Sequence, residues 1–373
     1  MEFVNLETIS TKIDYGLTES ATERDTGYKF LRITDIRQGK INWAEVPFCE
    51  CSESDAKKYE LQEGDIVFAR TGSVGNTGLI RNDVPKGSVF ASYLIRIRPN
   101  KDVIDPEYLA YYFQTPDYWR QIDVGAVGAI QGGLNATKLA ELKLPLPPLD
   151  EQKRIASLLA RADRLRGLRR AARRLADSLL QSVFLEMFGE PQSNLKKWNR
   201  VEIADVTESL DSWRIPVEAS IRQTKKGQYP YYGASGIIDY VEEYIFDEET
   251  LLVAEDGANL LARSTPIAFI ATGKYWVNNH AHVLRMKGIN IQFLCYLLNM
   301  IDLEPYVTGS AQPKLNTSNL EKIRVIFPPL PLQEEFARVA ARVEGLRARQ
   351  AEAERQAEGL FQSLLAQSFD GGR

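Results

Sequence analysis

The chain of 373 residues has little of what most catalytic or secreted proteins need. It has three cysteines, two of them in Cys49-Glu50-Cys51, too few for a disulfide framework. A reducing cytosol is the simpler reading. Cys49 and Cys51 have no companion pair, so the spacing does not read as a zinc site. Only two histidines are present, His280 and His282. No Gly-Lys-Ser/Thr phosphate loop occurs, and Gly72-Ser-Val-Gly75-Asn-Thr-Gly78 is not a dinucleotide fingerprint. The Asn- or Asp-Pro-Pro-aromatic loop of amino-methyltransferases is missing. No apolar run approaches the length of a membrane span, and the N-terminal residues do not read as a signal peptide. The net charge of −4 argues against a uniformly basic nucleic-acid coat but allows local basic patches. With 44% hydrophobic and 26% charged residues, the chain suits two or three folded domains.

What is present is a repeat. A shift of 181 residues carries Gln131 onto Gln312, Leu134-Asn135 onto Leu315-Asn316, and Pro147-Pro148-Leu149 onto Pro328-Pro329-Leu330. It also carries Gln152, Arg161, Leu165 and Phe188 onto Gln333, Arg342, Leu346 and Phe369, without a gap. Upstream the likeness weakens. Asp65–Gly72 resembles Thr250–Gly257, each a buried strand entering a glycine turn, and Leu94-Ile95-Arg96 resembles Val283-Leu284-Arg285. Asp105-Pro106 and Asn290 read as N-caps of two further helices. The fold class expected is α+β: two mixed α/β globular domains separated by two long helices that form an antiparallel coiled coil, with a pseudo-two-fold internal repeat. The domain limits expected are 1–147, 148–189, 190–327 and 328–373.

The prolines start the long helices, over about 151–187 and 332–367, and Gly189 and Pro191 stop the first. A 3-4 apolar spacing predicts a seam that includes Leu158, Leu165, Leu179, Val339, Leu346 and Leu360, with Arg169 and Gln350 as matched polar interruptions. The alternative is two separate amphipathic helices, each on its own globular part. Lys153, Arg154, Arg161, Arg164, Arg166, Arg170, Arg173 and Arg174 give the first helix a basic excess; it reads as a solvated face or as a surface for phosphate or an acidic partner.

The strand Asn278–Leu284 is expected to place both imidazoles on one face, as hydrogen-bonded structural or DNA-facing groups in preference to metal ligands. Its asparagines suit base edges. Tyr111, Tyr112, Tyr118 and Trp119 read as core. The glycine-rich stretch 125–133 and its counterpart 309–312 read as loops whose backbone approaches something closely; DNA phosphate and a plain turn fit almost equally.

Pro145-Leu-Pro-Pro-Leu-Asp-Glu-Gln-Lys-Arg-Ile155, its second copy at 327–336, and Met187-Phe-Gly-Glu-Pro191 with Asn194 and Trp198 resemble the specificity subunit of Type I restriction–modification systems. Tyr232–Gly236 and Asn278–Leu284 are similar to that family's target-recognition domains. The resemblance covers essentially the whole chain. It implies a non-catalytic, cytoplasmic subunit that reads a bipartite site in double-stranded DNA. The half-sites would lie about one helical turn, roughly 34 Å, apart. It further implies two docked modification subunits, which bind S-adenosylmethionine and methylate adenine, with restriction subunits using ATP and Mg where these exist. No cofactor or metal is expected in this chain. A scaffold with two domains for other ligands is the alternative. The DNA-contacting candidates are Arg70, Thr71, Ser73, Gln131, Asp256, Asn259, Asn278, Asn279, His280 and Gln312. The partner-contacting candidates are Arg154, Arg161, Arg164 and Arg170.

Overall fold

The computed structural model describes residues 2–37, 39–127, 134–309 and 312–369. It divides into two compact units, Met1–Arg170 with Glu352–Arg373, and Ala171–Ala351.

Each unit is built on a four-stranded antiparallel sheet. In the first the strand order is Ser10–Tyr15, Leu94–Pro99, Ile66–Ala69, Thr77–Leu79. In the second it is Thr207–Ser209, Ala281–Met286, Thr250–Ala254, Ala268–Ala271. The strands Ile66–Ala69 and Thr250–Ala254 are buried throughout, as their unbroken apolar character predicts. Register corrects one expected equivalence. Ala69 pairs with Leu94 and Ala254 with Ala281, so Leu94 matches Ala281, not Val283. A two-residue slip in a strand alignment leaves the in–out pattern unchanged, so hydrophobicity alone does not detect it.

Both predicted N-caps form. The Asp105 carboxylate accepts from the Tyr108 N–H at 2.9 Å, and the Asn290 side-chain oxygen from the Phe293 N–H at 3.1 Å. The helices they open, Pro106–Tyr112 and Ile291–Met300, lay aromatic residues on the long helices. Tyr111 meets Phe361 and Tyr108 meets Phe369 in the first unit; Phe293 meets Phe184 and Phe188 in the second. Tyr111, Tyr112 and Tyr118 are core, as expected, and Trp119 packs against it. The units diverge elsewhere. The second adds a sheet ordered Gly236–Val241, Lys226–Gly233, Lys274–Val277, Phe246–Asp247, whereas the first has the short pairs Phe30–Leu31 with Val89–Phe90, Ala21–Thr22 with Phe48–Cys49, and Ile36–Arg37 with Lys40–Ile41.

The long helices are Leu149–Phe188 and Leu330–Phe369, each 40 residues and about 60 Å. They run antiparallel within the first unit: Arg166 and Arg170 both reach Glu358, and Arg170 also approaches Glu354 at 3.6 Å. In the second unit Leu180, Phe184 and Phe188 share a core with Phe336, Ala340 and Val343. The seam differs from the predicted one at alternate positions. Leu158, Leu165, Leu179, Leu346 and Leu360 are 37–47% exposed, and Val339 is only partly buried. Their neighbours Leu159, Leu180, Ala340 and Phe361 are buried instead, and Arg166 and Arg347 occupy the matching sites. Ile155, Ala162, Phe336, Val343 and Ala357 are buried as well. The cause is the second packing partner: each buried stripe must face both the other helix and an aromatic-bearing helix of the globular part, and this rotates it by one residue.

Candidate nucleic-acid interface

At one end of each four-stranded sheet, three segments meet. The central strand runs out into a glycine turn, Arg70-Thr71-Gly72-Ser73 or Glu255-Asp256-Gly257. Gly72 and Gly257 take φ of +69° and +109°, backbone that disfavours a Cβ, and open space lies beyond both. The turn that leads into the neighbouring strand lies alongside. The Arg70 N–H donates to the Tyr93 carbonyl at 3.1 Å, and the Glu255 N–H to the His280 carbonyl at 2.9 Å. The third segment precedes the short helix Ala136–Ala140 or Thr317–Glu321. The Leu134 N–H donates to the Arg70 carbonyl, and the Leu315 N–H to the Glu255 carbonyl. The sequence candidates Asp256, His280 and Gln312 are brought to one place in the second unit, and Arg70, Thr71 and Ser73 to the equivalent place in the first. Gln131 lies outside the described residues.

Their side chains have different freedom. Thr71, Ser73, Asn279, His280 and Gln312 are exposed. Arg70 is half-buried, with its guanidinium 4.8 Å from the centre of the Tyr15 ring. Asn259 is held in its own turn, donating to the Thr265 carbonyl and accepting from Ser264 and the Thr265 N–H. Asn278 is buried; its side-chain oxygen accepts from the His280 N–H at 2.8 Å and so shapes the turn. The histidines do not share a strand face. His280 stands in the turn with Nδ1 2.8 Å from Asp256, while His282 is fully buried in the strand.

His282 belongs to an ionic clamp that motif reading missed. Nδ1 lies 2.6 Å from Asp211, and Nε2 2.7 Å from the Leu315 carbonyl. The buried ring thus bridges a carboxylate and a backbone carbonyl. Arg214 bridges Glu255 at 2.7 Å and Asp211 at 3.3 Å, and Lys314 reaches Glu255 at 3.1 Å. Asp211, Glu255 and His282 are grouped closely enough to hold a metal ion, yet each is already engaged by these internal partners. Burial opposes the charge on Asp211, but bonds from His282 and the Val283 N–H, with Arg214 nearby, hold its carboxyl below the usual range. Burial likewise opposes ionisation of Glu255, and Arg214, His282 and Lys314 outweigh it. Strand register places Tyr15, Arg70 and Ile95 where the second unit has Asp211, Glu255 and His282. One fold position therefore carries a cation on an aromatic ring in one unit and paired acids in the other.

On the first long helix Arg154 is exposed and bonded to Glu151 at 2.7 Å. Arg161 and Arg164 are exposed. Arg170 instead crosses to Glu354 and Glu358 of the second helix.

The model of the "Type I restriction modification DNA specificity domain" matches this chain twice, over residues 5–172 and 195–352. The chain belongs to this family. Each specificity-domain match stops inside a long helix, close to the limits of the compact units. A putative type I restriction enzyme specificity subunit (MjaX) of Methanocaldococcus jannaschii is 26% identical over 371 residues, covering 92% of this chain and 87% of that one. The EcoKI specificity subunit of Escherichia coli is 31% identical over 195 residues, 50% of this chain and 42% of that one. The crystal structure of a Type I restriction–modification S subunit from M. genitalium has the same fold. Its TM-score is 0.65 at 14% identity, covering 100% of this chain and 96% of that one. Each compact unit thus carries one of the family's DNA specificity domains, and each holds a stretch of both long helices. The residues that end the first long helix have a physical task. Gly189 turns left-handed at φ +76°, and the Trp198 indole N–H donates to the Phe188 carbonyl at 2.9 Å.

Proposed function

We propose that this chain is the specificity subunit of a Type I restriction–modification complex, reading the two halves of a bipartite DNA site with its two units. The observation that carries this reading is the pair of matched strand-end clusters, equal in backbone and unequal in chemistry. Arg70 over Tyr15 with Thr71 and Ser73 offers donors and hydroxyls; Asp256, His280 and Gln312 offer a different set. Side chains of these kinds discriminate base edges. The chain itself supplies no catalysis and holds no cofactor in this reading. Adenine methylation belongs to two modification subunits that carry S-adenosylmethionine, and any ATP- and Mg-dependent cleavage to restriction subunits. The complex would act in the cytoplasm. Its docking surface is the solvent face of the paired helices. Leu165 and Leu346, and Leu179 and Leu360, remain exposed at matched repeat positions, as an apolar contact used twice requires. Arg161 and Arg164 lie on the same first helix, and reversing both to Glu should weaken co-purification with the modification subunit more than it weakens folding, because exposed charges contribute only about 0–1 kcal/mol to stability.

The deciding experiment is methylome sequencing of cells that express this chain with its modification partner. A bipartite methylated motif is expected. Salt-dependent DNA binding by the purified complex should accompany it. Cells without such a motif, and a complex without DNA affinity, would overturn the reading.

A further inference from the structure

The first unit contains an exposed tyrosine that neither the repeat nor motif analysis singles out. Tyr93 is 63% exposed and lies in the turn between Ala91 and Leu94. The sequence repeat, slipped by two residues in this strand, does not align it with a candidate. Backbone geometry does. Leu94 pairs with Ala69 as Ala281 pairs with Ala254, so the residue before each is Tyr93 in one unit and His280 in the other. The same hydrogen bond marks both: the Arg70 N–H donates to the Tyr93 carbonyl, and the Glu255 N–H to the His280 carbonyl. Thr71 then matches Asp256, the residue that holds the His280 ring.

We infer that Tyr93 is a base-contacting residue of the first unit and does there what His280 does in the second. Three observations support this. The two side chains leave structurally equivalent turns. Both are exposed, with His280 48% exposed at its side chain, at the sheet end where the glycine turns leave open space. Each carries a ring with a polar group, able to pair with a base edge or stack on a base face. A phenol and an Asp-oriented imidazole differ in donors and acceptors, so equal backbone positions would read unequal bases. A bipartite site with two different halves would follow.

This inference rests on the DNA-reading function proposed above, and its test separates the two. Methylomes are determined for cells carrying the modification partner with the wild-type chain, with Y93A and with H280A. Wild type should give a bipartite motif. Y93A should relax discrimination at one position of one half-site by roughly 5- to 150-fold and leave the other half unchanged. H280A should relax the opposite half only. Co-purification with the modification subunit checks that Y93A is folded. If wild type gives the motif and Y93A gives the same motif, at equal or uniformly lower levels, Tyr93 is not a reader and the function stands. If both variants alter the same half-site, the equivalence is wrong. If wild type gives no bipartite motif, the function itself fails.

Discussion

Asp211 shows how one residue can set a reading surface without forming part of it. It accepts from the His282 ring and from the Val283 N–H at 2.9 Å, and lies beside Arg214. His282 in turn holds the Leu315 carbonyl, which fixes the segment that carries Gln312. The folded state lowers the affinity of Asp211 and Glu255 for protons, so both contribute stability above their unfolded pKa values of about 4. That contribution is lost as pH falls below about 4, through the depressed folded values. D211N should remove it at neutral pH, at a cost of about 1.5–3 kcal/mol for charge-assisted bonds. Hydrogen exchange at the amides of Ala281–Met286 measures this: protection should fall at pH 7 in D211N, and its acid dependence should flatten. Unchanged protection would show that the clamp is passive. No motif announces this clamp, because its members come from four separated segments. At Arg70 the sequence shows a guanidinium after a strand, and only the fold lays it over Tyr15.

Helix ends were legible and helix faces were not. Prolines, N-cap side chains and Gly189 act over three or four residues, so the sequence near them suffices. Gln152 and Gln333 illustrate a motif residue whose task needed coordinates. Each is fully buried, accepts from the N-cap N–H of a globular helix, Asp105 or Asn290, and donates to a proline carbonyl of its own helix start. Q152A and Q333A should each cost about 1–3 kcal/mol, since both strand a part-buried N–H and a buried proline carbonyl. The equality of the two losses in denaturant titrations tests the pseudo-symmetry. The seam is tested by adjacent leucines. L159A should cost about 2–5 kcal/mol because Leu159 is fully buried, and L158A within about 0.5 kcal/mol because Leu158 is 37% exposed. A heptad count favoured Leu158, because it weighs one helical partner where the fold supplies two.

The repeat was legible as an arrangement of two globular parts and two helices, with proline pairs at the start of each helix. The compact units are cut differently, inside both helices at 170/171 and 351/352, because packing joins residues far apart in sequence. Ala171–Ala351 is continuous and contains its own stretch of each long helix. The first unit is discontinuous and depends on Glu352–Arg373, which supplies Phe361, Leu365 and Phe369 to a core shared with Tyr108, Tyr111 and Leu159. Truncating one such buried side chain costs about 2–5 kcal/mol. Three together rival the 5–15 kcal/mol that holds a typical domain. A chain ending at Ala351 should therefore lose the fold of its first unit and keep that of its second. In hydrogen exchange the strand Ile66–Ala69 should become unprotected while Thr250–Ala254 stays protected, although both are equally buried in the intact chain. The fragment 171–351 expressed alone should show the same protection at Thr250–Ala254. Loss of protection in both strands would mean that the units fold as one, and loss in neither would mean that the last helical segment contributes little to the first core.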